Sequence, residues 1–175
     1  MKFIMRLKII VFCIFISLNS IAQNAYVFRI DVLQVSFPMK PFVDTVTVAG
    51  GFKVRFVASR DSVSNYYLSI IEQVNPDSNN VLHKQNLTGY FDGVMDGVGE
   101  RYRSETISQK IIRVSADSVG EYYSKGYYGQ TPINIRSWIC LKGVRTIVCQ
   151  HLYTVKDKDA LKRKQETFFQ SLILF

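Results

Sequence analysis

From Tyr26 to Val155 the chain alternates apolar and polar residues with a period of two over many short runs, the signature of half-buried strands. The most extended case is Ile133–Val155, where two runs rich in Ile, Val, Thr and aromatic residues flank Lys142-Gly143. This pattern predicts a β-hairpin. Ile133, Ile135, Ile139 and Leu141 share one face of its first arm, and Trp138 lies on the other. A turn at Lys142-Gly143 sets the first face opposite Leu152, Gln150, Thr146 and Val144, and places Trp138 beside Ile147.

Further runs extend the pattern. Phe52, Val54, Phe56 and Ala58 alternate with Lys53, Arg55 and Val57, predicting a strand that buries the first set and pairs with Val43–Val48 across Gly50-Gly51. A strand through Tyr66, Leu68 and Ile70 follows. Tyr26–Phe37 reads as one long strand whose apolar parity switches near Val32, as a bulge would cause. Asn75–Asn80 predicts a turn, Val81–Leu87 and Ile111–Val114 predict short strands, and Leu87–Ser108 and Val119–Pro132 read as glycine-containing loops. Asp159 can cap a terminal helix in which Leu161, Phe168, Leu172 and Phe175 recur at helical spacing.

The expectation is an all-β fold: an antiparallel β-sandwich of seven to eight strands with a short C-terminal helix. In pattern it resembles an immunoglobulin-like domain. Asp117–Tyr122 is similar to the tyrosine corner of such domains, departing in spacing, in lacking a following cysteine, and in preceding rather than following Trp138.

Lys2, Arg6 and Lys8, the apolar run Ile9–Ile16 and the Ser20-Ile21-Ala22 tripeptide have the order of a secretory signal peptide. The chain therefore divides into a signal peptide (1–22), a β-sandwich domain (23–156) and a C-terminal amphipathic helix (157–175). The apolar run is shorter than the roughly 20 residues a spanning helix needs. Export implies a periplasmic, outer-membrane-associated or extracellular location. Without residues 1–22 the chain keeps 19 basic and 14 acidic residues, a net charge of +5. That charge is spread over strands and tail, so nucleic acid is not the expected partner. Lys156, Lys158, Lys162, Arg163 and Lys164 form the wet face of the last helix, which can contact an anionic membrane surface.

Cys140 and Cys149 are the two cysteines beyond the leader. A tight Lys142-Gly143 turn separates them by roughly 13 Å at strand rise, whereas a loop over Gly143–Thr146 places them opposite one another within disulfide reach. Both registers keep the same faces, and a disulfide and two buried thiols stand as alternatives. The set of two cysteines with His83 and His151 is a poor one for a metal. Asp92, Asp96 and Glu100 recur every four residues amid glycines. Calcium accepts such oxygen-rich loops, but pairing with Arg101 and Arg103 is the simpler role, and no metal or cofactor is assigned.

The stretch Tyr122-Tyr123-Ser124-Lys125-Gly126-Tyr127-Tyr128-Gly129 has the composition of a binding loop. Tyr122, Tyr123, Tyr127 and Tyr128 are the candidate ligand-binding residues. Neither a nucleophile elbow nor a phosphate loop is present, and neither histidine has catalytic company. The reading is an exported, non-enzymatic cell-envelope module that binds a protein or glycan partner through its loops. A small outer-membrane β-barrel is the alternative, with a secreted hydrolase behind it.

Overall fold

A computed structural model describes residues 25–48, 51–73, 86–154 and 158–175. The signal segment, the Asn75–Asn80 turn and all but the end of the Val81–Leu87 strand lie outside the described residues. The element order is β1 (Tyr26–Ile30), β2 (Leu33–Phe37), β3 (Phe42–Val48), β4 (Phe52–Arg60), β5 (Ser64–Gln73), α1 (Leu87–Tyr102), β6 (Glu105–Val114), β7 (Asp117–Tyr128), β8 (Thr131–Lys142), β9 (Arg145–Tyr153), α2 (Lys158–Gln170) and β10 (Ile173–Leu174). Two antiparallel sheets result, a three-stranded one in the order β1-β2-β10 and a seven-stranded one in the order β3-β4-β5-β9-β8-β7-β6. The antiparallel sandwich and the short C-terminal helix expected from the sequence are present. Among the described residues the large sheet does not close into a barrel, and β3 and β6 are its two edges.

The β8–β9 hairpin is central, and both of its faces are buried. One carries Trp138, Cys140, Ile147 and Cys149 into a core shared with Leu33, Val35 and Phe37 of β2 and Phe168 and Phe169 of α2. The other presents Ile139 and Val148 to Phe91 and Met95 of α1, and Ile135 and Leu152 to Tyr102. The hairpin is continuously apolar because sheet and helix cover it from opposite sides. Its turn is Gly143-Val144, with Lys142 opposite Arg145 and Gly143 at φ 61°, a torsion that two-residue hairpin turns take most readily as glycine. Cys140 therefore faces Ile147, and Cys149 faces Trp138. This register lies between the two considered above, and both thiols are free and buried.

Three expectations are corrected. Tyr26–Phe37 is a hairpin, not one bulged strand. Ile30 pairs with Leu33 and Phe28 with Val35, so the parity switch at Val32 marks a turn that returns the apolar set to the same face. On β4 the wholly buried residue is Val57, on the side facing the small sheet, while Phe52 is exposed. The reason is coverage: α1 packs over β7, β8 and β9 and leaves the matching face of β3 and β4 open. Leu87–Ser108 is mostly helix. Asn86 caps it, its Oδ1 accepting the Gly89 N–H at 3.0 Å. Asn86-Leu87-Thr88, which has the form of a glycosylation acceptor, is thus a helix start.

α2 ends at Gln170, short of the apolar spacing that ran to Phe175. The chain turns there, and β10 joins the small sheet through Leu174, opposite Leu33. Phe168, Phe169, Leu172 and Leu174 lie in the main core, so the apolar side of α2 is spent on the sandwich.

Candidate functional site

The tyrosine stretch is not a loop. It is the second half of the twelve-residue strand β7, and strand alternation sends its tyrosines to different fates. Tyr122 is buried beneath α1, where its hydroxyl donates to Asp92 at 2.8 Å. Tyr123 points to the other face, beside the Arg136 guanidinium. Tyr122 is thus a core residue, and the half-buried Tyr123 lies on the face opposite to it. Tyr127 and Tyr128 stay open, 47% and 54% exposed, at the β7–β8 turn.

What surrounds those two rings comes from the unforeseen helix. α1 closes with Arg103 in the left-handed region at φ 45°, its N–H donating to the Gly99 carbonyl. This cap aims the Arg103 side chain at the turn. Its guanidinium donates to the Gly129 carbonyl at 2.8 Å and lies over the Tyr127 ring at 5.6 Å. Arg101 covers Tyr102, whose ring is 6.4 Å from Tyr128, and Tyr67 extends the array to Phe56, stacked at 5.5 Å. Burial, with Tyr102 and Tyr128 nearby, pushes the Tyr67 hydroxyl up to about 12. At neutral pH it is therefore a hydrogen-bonding phenol. The helix end can approach because β7 has glycine at its contact point. A Cβ on Gly126 would stand 2.6 Å from the Ser104 Cβ and 2.7 Å from the Tyr102 carbonyl oxygen.

The result is a pair of exposed rings, Tyr127 and Tyr128, backed by the buried Tyr102 and edged by the Arg103 and Arg101 guanidinium groups. Its chemistry is stacking, hydrogen bonding and weak attraction for anions. The sequence supplied Tyr127 and Tyr128. It gave no sign that Tyr102, Arg101 and Arg103 join them, although Leu87, Phe91, Met95, Val98 and Tyr102 recur at helical spacing.

A second polar cluster has the reverse character. Glu121, 2% exposed, accepts from Trp138 Nε1 at 2.8 Å and Arg136 Nε at 2.9 Å, and pairs with Lys110 at 2.9 Å. Arg136 lies over the Phe169 ring at 4.5 Å. Burial alone would raise the carboxyl, but the hydrogen bonds from Trp138, Lys110 and Arg136 hold it at about 2. With its oxygens occupied, Glu121 is a lock between strands.

The remaining candidates separate. Asp92 serves Tyr122, while Asp96 and Glu100 are exposed on α1; among the described residues no three His, Cys, Asp or Glu side chains are placed to share a metal. The arginines beside them turn to tyrosines. Burial pushes the Cys140 thiol up to about 12 and Cys149 well above the usual range, leaving both as thiols that behave as small apolar groups. His151 is wholly buried, stacked between Tyr66 at 4.6 Å and Tyr153 at 5.1 Å. His83 lies outside the described residues.

The fold is similar to that of cyanobacterial PsbP (CyanoP) from Synechocystis sp. PCC 6803, with a TM-score of 0.58 and 14% identity, covering 87% of this chain and 92% of that one. Weaker likenesses are to a Pseudomonas aeruginosa protein of unknown function (TM-score 0.45, 8% identity, 82% and 95% coverage) and a Bacteroides thetaiotaomicron protein (TM-score 0.42, 10% identity, 82% and 45% coverage). No protein-family model and no curated protein sequence matches the chain. At these identities the likeness is one of fold, and it transfers no site residue.

Proposed function

We propose that the chain is an exported, non-enzymatic cell-envelope module that binds a protein or glycan partner through the Arg103–Tyr127–Tyr128 surface. The observation that carries this reading is the pair of exposed tyrosine rings beside a guanidinium already tied to the Gly129 carbonyl. Rigid aromatic side chains lose little rotamer freedom on binding, and a fixed arginine beside them loses less still. Tyrosine faces stack on sugar rings, and the exposed arginines suit carboxylates of acidic glycans or proteins. Export rests on the leader-type residues 1–22. No helix among the described residues is long and apolar enough to cross a membrane. The basic residues Lys162 and Arg163 are exposed on α2, which leaves contact with an anionic membrane surface as an accessory role.

The test uses the chain without residues 1–22, purified and passed over insoluble peptidoglycan, chitin and solubilised envelope protein. Retention by one of these is expected. The double substitution Tyr127→Ala, Tyr128→Ala should abolish retention while changing the melting temperature by no more than about 2–4 °C, since exposed rings carry little of the fold. Retention unchanged in the double variant would move the site elsewhere. No retention of the parent chain by any of the three would overturn the reading.

A further inference from the structure

The two open edges of the large sheet are built differently. β6 carries Glu105, Lys110 and Arg113 and has a register break between Thr106 and Ser108; charge and bulge are the usual guards against edge-to-edge pairing. β3 has neither. Its sequence, FVDTVTV, holds one charge, all seven residues are exposed, and its pairing with β4 runs without a break from Phe42 to Val48. Phe42 is 64%, Val46 45% and Val48 44% exposed. They share a face with Phe52, Val54 and Phe56 of β4, the face that α1 leaves uncovered. An unguarded edge with an apolar face is a template for another strand.

We infer that β3 pairs antiparallel with β3 of a second copy, joining two seven-stranded sheets into one. The occupant follows from the strand's self-complementarity. A two-fold axis at Thr45 sets Phe42 opposite Val48, Val43 opposite Thr47 and Asp44 opposite Val46 of the other copy. This register places the two Asp44 carboxylates against valines rather than each other and stacks Phe42 on an aliphatic partner, twice per interface. Pro41 before the strand and Gly51, at φ 74°, after it limit the pairing to these seven residues.

Sedimentation velocity on the chain without residues 1–22, over a hundredfold concentration range, is expected to show a concentration-dependent dimer. The register makes a charge-specific demand. Val46→Asp sets carboxylate against carboxylate at two places and should weaken dimerisation at least tenfold. Val46→Lys sets an ammonium opposite Asp44 at the same places and should preserve it. Ile111→Asp on β6 should change nothing. Circular dichroism melts within a few degrees of the parent show that each variant is folded. A monomer at every concentration overturns the inference, as does equal weakening by Asp and Lys at position 46, or indifference to both. A monomer whose β3 amides become protected from exchange only when an extended peptide is added also overturns it, in favour of a heterologous partner strand.

Discussion

The two faces of the seven-stranded sheet are both covered, but by different physical means. Toward the small sheet and α2 the polar contacts are ionic: buried Glu121 with Arg136, the exposed Lys110 and the Trp138 indole, and half-buried Asp61 with Lys164 at 2.8 Å. Toward α1 the buried polar groups are neutral, with Gln150 bonded to Ser137 at 3.2 Å and Tyr90 to Thr146. Close fit is set there by glycine at positions 120 and 126. The first face is held in register by charge, since Glu121 ties β6, β7 and β8 together and Arg136 carries that tie to Phe169 of α2. The second is held by shape, and α1 covers only part of it. Openness on the α1 side is what leaves both the tyrosine surface and the β3 edge available to partners.

The strongest way to break this contrast is Glu121→Ala. It strands the Arg136 guanidinium and the indole N–H in a nearly dry site, and removing one member of a buried ion cluster costs about 3–5 kcal/mol. Urea unfolding should show a loss in that range, with α2 loosened because Arg136 no longer holds its position over Phe169. A loss below about 1 kcal/mol would class the cluster with ordinary surface ion pairs and erase the distinction between the faces.

This division of labour was only partly legible in the sequence. Alternation revealed the strands and the central hairpin because period-two burial is a local property. The hairpin register slipped by one step because Gly143 was placed at the second turn position when its positive φ suits the first. α1 stayed hidden because Gly89, Gly93, Gly97 and Gly99 lower helix propensity, although its apolar spacing was regular. Missing the helix inverted β4, whose apolar Phe52, Val54 and Phe56 were expected in a core that α1 does not reach. It also hid the setting of the exposed rings, because Arg101, Arg103 and the buried Tyr102 are brought there by the helix end. Buried Tyr122 and half-buried Tyr123 could not be told from Tyr127 and Tyr128 by composition, since only the covering layers decide how far each ring is buried.

On the α1 side the sensitive variable is volume. A methyl group on Gly120 would stand 2.8 Å from both the Phe91 and Tyr122 rings, whereas one on Gly93 meets nothing within 4 Å. Gly120→Ala should therefore cost about 1–3 kcal/mol by overpacking. Gly93→Ala, in the exposed face of the same helix, should stabilise by roughly 0.5–1 kcal/mol through propensity. Chemical denaturation of the two single variants makes the comparison. Equal effects of the two would mean that α1 is not seated on β7 by the absence of a side chain.

The remaining contrast between the faces is one of pH, and it rests on His151. Its two ring nitrogens have no hydrogen-bond partner among the described residues. Burial, reinforced by the positive charges of Arg136 and Lys164 and only partly opposed by Asp61, holds its pKa at about 3 against an ordinary 6.5. Below pH 6.5 the unfolded chain takes up a proton at this residue that the folded chain refuses until about pH 3. Stability therefore falls as pH drops through that interval, by about 1.4 kcal/mol at one unit below 6.5, and is unaffected above it. Glu121 acts in a different window: its carboxyl, held at about 2 against 4.5, contributes fully above pH 4.5 and loses that contribution as pH falls toward 2. The interval from pH 6.5 to 4.5 thus isolates the histidine. His151→Phe keeps a flat ring between Tyr66 and Tyr153 and removes two unpartnered nitrogens, so stability at pH 8 should not fall. Its unfolding free energy should then vary less between pH 6.5 and 4.5 than that of the parent chain, by the amount His151 contributes. An unchanged slope would assign the acid sensitivity elsewhere, and a parent chain that gains stability on acidification would mean that His151 is protonated and partnered in the folded core.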